Sequence, residues 1–235
     1  MLPTILPIVD REVANLLVEI LEKRGMKIQV NAKVTQITKN SLLKVTYEQN
    51  GEKKEAEGDY ILVATGRVPM TDGLNLERTG IKMDKKAIVT DFHLKTSDSS
   101  IYAAGDVNGK YLLAHVAYKE AGVAVNNMLG KKSSINYRVV PHCIFCSPEI
   151  SSVGLSEEEA VHLGYEVKIG KFPFRAVGKA LIEGETDGFV KIIADKKTGE
   201  ILGAHIIGPH ASDLIGELTL AMSLESTPEE IAQTI

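Results

Sequence analysis

The chain has 235 residues, of which 44% are hydrophobic and 25% charged, a composition that suits one large globular domain or two small ones. Its net charge of −4 and the lack of a basic run argue against nucleic-acid binding, and no apolar run reaches the roughly 18 residues of a membrane helix. The start, MLPTILPIVD, lacks the features of a signal peptide, and the chain has only two cysteines, so we expect a reducing, cytoplasmic location.

The first 66 residues predict one helix followed by short strands. Asp10 can cap a helix in which Val13, Leu17 and Ile20 recur at helical spacing up to Gly25. The predicted strands are MKIQV, KVTQIT, LLKVTYE and DYILVAT. The first three suggest an antiparallel meander, and the last is apolar enough to be buried on both faces. We interpret residues 1–66 as the later part of an α/β nucleotide-binding domain.

Residues 67–136 have a different pattern. A loop leads to a short helical turn that ends at Gly80, and two strands are then predicted, AIVTD and IYAAGD. A helix is predicted from about Leu112 to Leu129, where Gly130 ends it.

Residues 137–235 predict an α+β unit in the order strand, helix, strand, strand, hairpin strand, helix. Ser156 and Glu159 form a capping box, and 196–199 is the turn of a hairpin. Thr227 and Pro228 begin one more helix. The helix ASDLIGELTLAMSLE carries Leu214, Leu218 and Met222 on one face, with Ile215 and Leu224 beside it.

Two apolar strands end in glycine and then a polar residue, which is typical of ligand sites at the carboxyl ends of strands. In IYAAGDV, Gly105 permits close backbone approach, and Asp106 can accept hydrogen bonds from ligand hydroxyls or simply cap a turn. In ILVATGRVP, Gly66 and Arg67 can border a cofactor or mark a domain boundary.

The histidines give no catalytic or metal signature. His115 lies in the first turn of the 112–129 helix, and no serine or carboxylate stands at a spacing that completes a hydrolytic triad. His205 and His210 have no cysteine or acidic partner at metal-ligand spacing, so no metal site is predicted.

Cys143 and Cys146 form the motif C-x-x-C, which admits a redox dithiol, half of a zinc site or a purely structural role. The surrounding VVPHCIFCSPE predicts a strand, in which residues three apart point to opposite faces. Because the sulfurs cannot then meet easily and His142 alone does not complete a zinc site, the structural role is favoured.

Several strings together resemble the pyridine-nucleotide flavoprotein disulfide reductases. They are LPTILPIVDREV, ATGRVP, IYAAGDVNGKYLLAHVAYKEAG, FCSPEISSVGLSEEEA, KFPFRAVGKAL and DGFVKIIADKKTGEILGAHIIGP. FPFRAVGKAL and GEILGAHIIGP favour the dihydrolipoamide dehydrogenase group over the glutathione and mercuric reductases.

The resemblance implies the fold, the cofactors and the partners. It implies a partial FAD/NAD(P)-binding domain (1–66), a flavin half-site segment (67–136) and an α+β dimerisation domain (137–235). FAD and NAD would be the cofactors. The partners would be a second copy of the chain, bound through 137–235, and a 2-oxo acid dehydrogenase complex.

The resemblance also implies roles for individual residues. Asp106 would bind ribityl or phosphate-side hydroxyls of the flavin, and Val34 and Gly66 would border the path of NAD. The residues that would line the flavin are Leu112, Leu113, Ala114 and His115.

The family's redox cysteine pair, its glycine-rich phosphate loops and its His–Glu base match no segment of these 235 residues. We therefore interpret the chain as a fragment that is inactive by itself. The alternatives are a fragment of another disulfide reductase and a non-catalytic dimerisation module.

Overall fold

The computed structural model describes residues 2–235, which form two compact units. One unit combines the chain up to Ile61 with Val139–Ile235, and the other is Leu62–Arg138. None of the helices in the described part of the chain is both long and apolar enough to cross a membrane.

In chain order, the helices are α1 Arg11–Lys23, α2 Ala114–Met128, α3 Glu157–His162, α4 Gly178–Glu183, α5 Ala211–Ser223 and α6 Pro228–Ala232. The strands are β1 Lys33–Lys39, β2 Leu43–Gln49, β3 Glu52–Gly58, β4 Met83–Asp84, β5 Ala87–Ile88, β6 His142–Ile144, β7 Glu149–Gly154, β8 Val167–Pro173, β9 Phe189–Asp195 and β10 Ile201–Gly208. Short 3₁₀ turns cover Leu76–Arg78, Asp106–Asn108 and Phe174–Ala176.

The larger unit is built on a five-stranded antiparallel sheet with the order β6-β7-β10-β9-β8. Its central strand, β10, is buried along its whole length. Neighbouring residues of β10 face opposite sides, so Ile206 packs with α5 and Ile207 packs with α1. The sheet is therefore covered by a helix on each face.

Helix termini follow the local predictions closely. The Asp10 side chain accepts from the Glu12 N–H at the start of α1. Capping boxes at Ser156 and Thr227 begin α3 and α6, as predicted.

The predicted face of α5 is wrong in part, because Leu214 and Leu224 are exposed. The buried residues of α5 are Ala211, Ile215, Leu218, Ala221 and Met222.

The same unit contains a three-stranded antiparallel meander, β1-β2-β3. The meander is confirmed but one of its strands is not the predicted one, because MKIQV forms no strand and EKKEAEG does. Asn50 and Gly51 both have positive φ and reverse the chain between β2 and β3. This turn brings the charged strand β3 alongside β2. Lys44 of β2 then forms a salt bridge of 2.8 Å with Glu55 of β3.

The prediction of a buried strand at DYILVAT is wrong. Residues 59–65 form no strand, and Tyr60 and Leu62 are 92% and 91% exposed. A strand needs a neighbour to accept and donate its backbone hydrogen bonds, and none of residues 2–235 pairs with this segment.

The smaller unit has little sheet. Of AIVTD only Ala87–Ile88 pairs, with β4, and the predicted strand IYAAGD is reduced to a single bridge between Tyr102 and Lys95. Its small apolar core contains Ile81, Ile88 and Ala103. Helix α2 is confirmed, although it begins at Ala114 and not at Leu112.

Candidate functional site

The most specific polar arrangement of the smaller unit is centred on the turn 105–108. Gly105 has φ +79° and ψ −160°, a conformation that essentially only glycine adopts. A Cβ at this position would lie 3.2 Å from the Cβ of Ala117 on α2. The turn therefore lies closely against α2, and its next residue, Asp106, is exposed.

A buried carboxylate holds this turn. Glu120, on α2, is completely buried, and its Oε2 accepts from the Gly105 N–H at 2.6 Å and from Asn108 Nδ2 at 2.8 Å. Its Oε1 accepts from the Tyr137 hydroxyl at 2.5 Å. Burial, helped by this hydrogen bond, raises the pKa of Tyr137 above its usual range.

Sequence reasoning missed Glu120 and Tyr137. The signal for Glu120 was its position, because it lies on the same face of α2 as the buried Val116, Val123 and Ala124. An acid at such a position must find donors or destabilise the fold.

The beginning of α2 has no side-chain cap. Its N-cap is Leu113, whose side chain has no oxygen with which to cap the first-turn N–H groups. Leu112 and Leu113 are half-buried, whereas Ala114 and His115 are exposed. The positive end of the helix dipole is thus available to a polar group.

The predicted site residues fall in both units. Asp106, the segment 112–115 and Gly66 belong to the smaller unit. Gly66 is exposed with φ +99°, and a Cβ built there would meet nothing within 4 Å. Val34 lies on β1 of the larger unit and is 58% exposed. Their roles towards a cofactor stay predictions.

The donors and acceptors of the turn and of α2 fit the ribityl end of a flavin. Asp106 offers an exposed carboxylate, which accepts from hydroxyl groups. The uncapped start of α2 offers backbone donors to oxygen atoms of a ligand. Asp106 is presented without a competing ion pair, since no salt bridge is found for it within residues 2–235.

The two cysteines show the environment of structural thiols. Cys143 lies in β6 and Cys146 follows that strand, and both are free. Burial raises the pKa of both thiols, and the Cys146 Sγ lies 3.1 Å from the carbonyl oxygen of Pro148. A raised pKa disfavours the reactive thiolate, which supports the structural interpretation.

His210 has acidic neighbours that sequence spacing did not predict. Its ring and the carboxylates of Glu183 and Glu185 bring potential ligand atoms within 4.8 Å of one another, and all three side chains are exposed. The fold joins them because α4 and the start of α5 meet here. The prediction that the chain binds no metal stays a prediction.

A second buried charge lies in the larger unit, on the α1 side of the sheet. The Lys191 side chain is 1% exposed and contacts Asp10 at 3.1 Å, Glu12 at 2.9 Å and Glu157 at 2.6 Å. Burial alone would lower the pKa of Lys191, but the three carboxylates outweigh it and raise that pKa. These contacts attach α1 and α3 to β9.

Comparison with known protein families matches most of the chain. Residues 1–121 match the model of the pyridine nucleotide-disulphide oxidoreductases, and residues 140–235 match the dimerisation domain of the same proteins. The chain therefore belongs to the pyridine nucleotide-disulphide oxidoreductase family.

Similar relatives within this family are named dihydrolipoyl dehydrogenase. Those of Bacillus subtilis and Thermus scotoductus are each 43% identical to this chain, over 98% and 100% of its length. The matched region is 50% and 51% of those proteins, so the chain spans about half the length of the curated relatives it matches.

Solved structures of disulfide reductases share the fold. LpdA from Mycobacterium tuberculosis superposes with a TM-score of 0.90 at 32% identity, covering 100% of this chain and 51% of that one. The flavoprotein disulfide reductase RclA from Escherichia coli also gives 0.90, at 28% identity, covering 100% and 54%. The predicted combination of nucleotide-binding and dimerisation folds is thus confirmed.

Proposed function

We propose that these residues form the flavin-facing and dimer-forming half of an FAD-dependent, NAD-linked dihydrolipoyl dehydrogenase. The observation that carries this proposal is the Glu120-held turn, which presents Asp106 near the uncapped start of α2. The identity of 43% to two enzymes of that name supports the choice of activity. Residues 1–66 would contribute to the nucleotide domain, 67–136 to the flavin site and 137–235 to the dimer.

Each site residue would act by binding. Asp106 would accept hydrogen bonds from ribityl hydroxyls, and the first-turn N–H groups of α2 would donate to oxygen atoms of the cofactor. Leu112, Leu113, Ala114 and His115 would line the flavin, and Gly66 and Val34 would border the path of NAD. Bound FAD would supply the electron carrier between a dithiol and NAD.

The dimerisation domain presents an apolar stripe on α5. Leu220 and Leu224, four residues apart at the end of the helix, are 61% and 69% exposed, and Leu214 is exposed on an adjacent side. We assign this stripe to the contact with a second copy of the chain. In its complete form the protein would also join a 2-oxo acid dehydrogenase complex, in a reducing cytoplasmic setting that suits two free thiols.

The assembly proposal has a matched control. Leu220→Glu should convert a dimer into a monomer in sedimentation equilibrium. Leu163→Glu should not, because Leu163 is 62% exposed but directly follows α3, which packs against β8. Equal association of the two variants would contradict the assignment of the stripe.

The activity can be tested in a chimera in which this chain replaces the matching half of the Bacillus subtilis enzyme. We expect a flavin-loaded protein that oxidises dihydrolipoamide with NAD, and we expect Asp106→Asn to reduce its flavin content. A folded chimera that reduces glutathione disulfide instead would favour the second candidate, another flavoprotein disulfide reductase, a class that includes the structurally similar RclA.

The isolated 235-residue polypeptide should bind FAD too weakly to retain it through purification, and it should therefore be colourless as isolated and inactive with dihydrolipoamide. Its only cysteines are Cys143 and Cys146, which cannot replace a redox dithiol because they are held in separate, pKa-raising environments. Stoichiometric flavin together with NAD-dependent turnover would contradict this expectation. A stable colourless dimer of a chain that ends here in the cell would instead favour a non-catalytic dimerisation module.

A further inference from the structure

Glu120 is an unusual residue for the interior of a helix. A carboxylate that loses water costs several kcal/mol unless donors replace the water, and this side chain is completely buried. Its three donors come from Gly105, Asn108 and Tyr137, which all lie outside α2. The carboxylate therefore stabilises the segments around Gly105, Asn108 and Tyr137 and not α2 itself.

Two of these donors flank Asp106. The Gly105 N–H immediately precedes it, and the Asn108 amide lies two residues after it. Asn108 Oδ1 in turn accepts from the Lys110 N–H at 3.0 Å, which extends the fixed geometry along the chain. In the described chain no strand adjoins this turn, so the turn depends on these side-chain hydrogen bonds and not on a sheet.

The third donor connects Glu120 to the other part of the candidate site. The Tyr137 ring stacks on Tyr111, with 5.4 Å between centroids and 18° between planes. Tyr111 directly precedes the segment 112–115. One buried carboxylate thus holds the Asp106 turn directly and the approach to α2 through two stacked rings.

We propose, as an inference that rests on the proposed function, that Glu120 is a positioning residue for the flavin: it orients Asp106 and the start of α2 without touching the cofactor. The three donors around Glu120 require a correctly placed acceptor oxygen and not a negative charge. A glutamine can keep that geometry, with its oxygen towards Gly105 and Asn108 and its amide towards the Tyr137 oxygen.

The test measures binding of FAD and of lumiflavin, which lacks the ribityl chain, to the full chain by equilibrium dialysis. Glu120→Met removes the acceptors at similar volume and should weaken FAD binding about tenfold, the effect of one lost hydrogen bond to a charged group. Lumiflavin binding should weaken clearly less than FAD binding, because lumiflavin has no ribityl hydroxyls for Asp106 to accept from. Glu120→Gln should stay within about threefold of the original chain for FAD.

Val123→Ala is the control for general loosening of α2. Val123 is 3% exposed on the same helix, so its truncation should lower the urea midpoint while FAD binding is retained. If Glu120→Met weakens both ligands alike, or if Val123→Ala matches its loss of FAD, then Glu120 only stabilises the unit and the inference is overturned.

Two further outcomes separate this inference from the proposed function. If Asp106→Asn weakens FAD binding and Glu120→Met does not, the flavin assignment stands and the positioning role is wrong. If the original chain binds no FAD, or if Asp106→Asn has no effect on binding, the flavin assignment itself fails and the positioning role fails with it.

Discussion

Each compact unit has one buried charge held by three partners, Glu120 in the smaller unit and Lys191 in the larger, and the two charges are compensated in opposite ways. Glu120 is surrounded by neutral donors, a backbone N–H, an amide and a phenol. Lys191 is surrounded by the three carboxylates of Asp10, Glu12 and Glu157. Neutral donors orient a loop and tolerate an uncharged isostere, whereas countercharges leave an excess of like charge as soon as the central ion is removed. The first arrangement suits a binding turn, and the second suits a permanent attachment between helices and a sheet.

The largest expected effect is at Lys191. Lys191→Met would leave the Asp10 carboxylate, only 3% exposed, without its cation, and should lower the free energy of unfolding by about 3–5 kcal/mol. Lys168→Met is the matched control on β8, because Lys168 and its partner Glu229 are 68% and 59% exposed and should contribute under about 1 kcal/mol. Urea unfolding followed by circular dichroism measures both, and equal midpoints would mean that the buried Lys191 cluster stabilises the larger unit no more than an exposed ion pair does.

A smaller effect concerns His205, which lies on the same side of the sheet and pairs with Lys191 across β9 and β10. Burial lowers the pKa of His205, its Nε2 lies 3.0 Å from the Leu155 carbonyl oxygen, and its buried Nδ1 has no hydrogen-bond partner among residues 2–235. Because the folded state resists protonation, the unfolded chain binds more protons below the ordinary pKa of about 6.5. Stability is therefore complete above that pH and is lost as the pH falls below it, by at most about 1.4 kcal/mol per pH unit.

The measurement for His205 is the urea midpoint at a series of pH values between 7 and 5. The His205→Gln variant should show a flatter profile than the original chain over this range, whatever its absolute stability. Parallel profiles would mean that His205 does not contribute to the acid response.

The smallest expected effect is at Tyr137. Tyr137→Phe removes one donor from Glu120 while the other two remain, and should cost about 1–1.5 kcal/mol. Tyr118→Phe, at a side chain on α2 that is 82% exposed, should cost nothing measurable. If Tyr137→Phe proved as harmful as Lys191→Met, the Glu120 site would behave as a charge cluster and the comparison would fail.

Sequence reasoning predicted the features that depend on neighbouring residues. The caps at Asp10, Ser156 and Thr227 and the hairpin turn at 196–199 are local hydrogen-bonded motifs, and each forms as predicted. The family was also predictable, because its strings are long and occur in order along the chain.

Features that depend on distant partners were not predictable. DYILVAT has the composition of a buried strand, but a strand forms only beside another, and none pairs with it in the described part of the chain. The position of Glu120 on the apolar face of α2 indicates burial, but its donors, 12, 15 and 17 residues away, cannot be identified from the sequence. The family and the local turns could therefore be predicted from the sequence, but the hydrogen bonds that join Glu120 to the 105–108 turn could not.

The most direct test of the account is a titration of the ¹⁵N-labelled 235-residue chain with FAD, followed amide by amide. The account predicts that the shifts concentrate at Gly105–Asn108 and at the start of α2 around Ala114 and His115, while the amides of β9 and β10 near Lys191 stay unchanged. Shifts confined to the five-stranded sheet, or no shifts at saturating FAD, would contradict the claim that this turn faces the flavin.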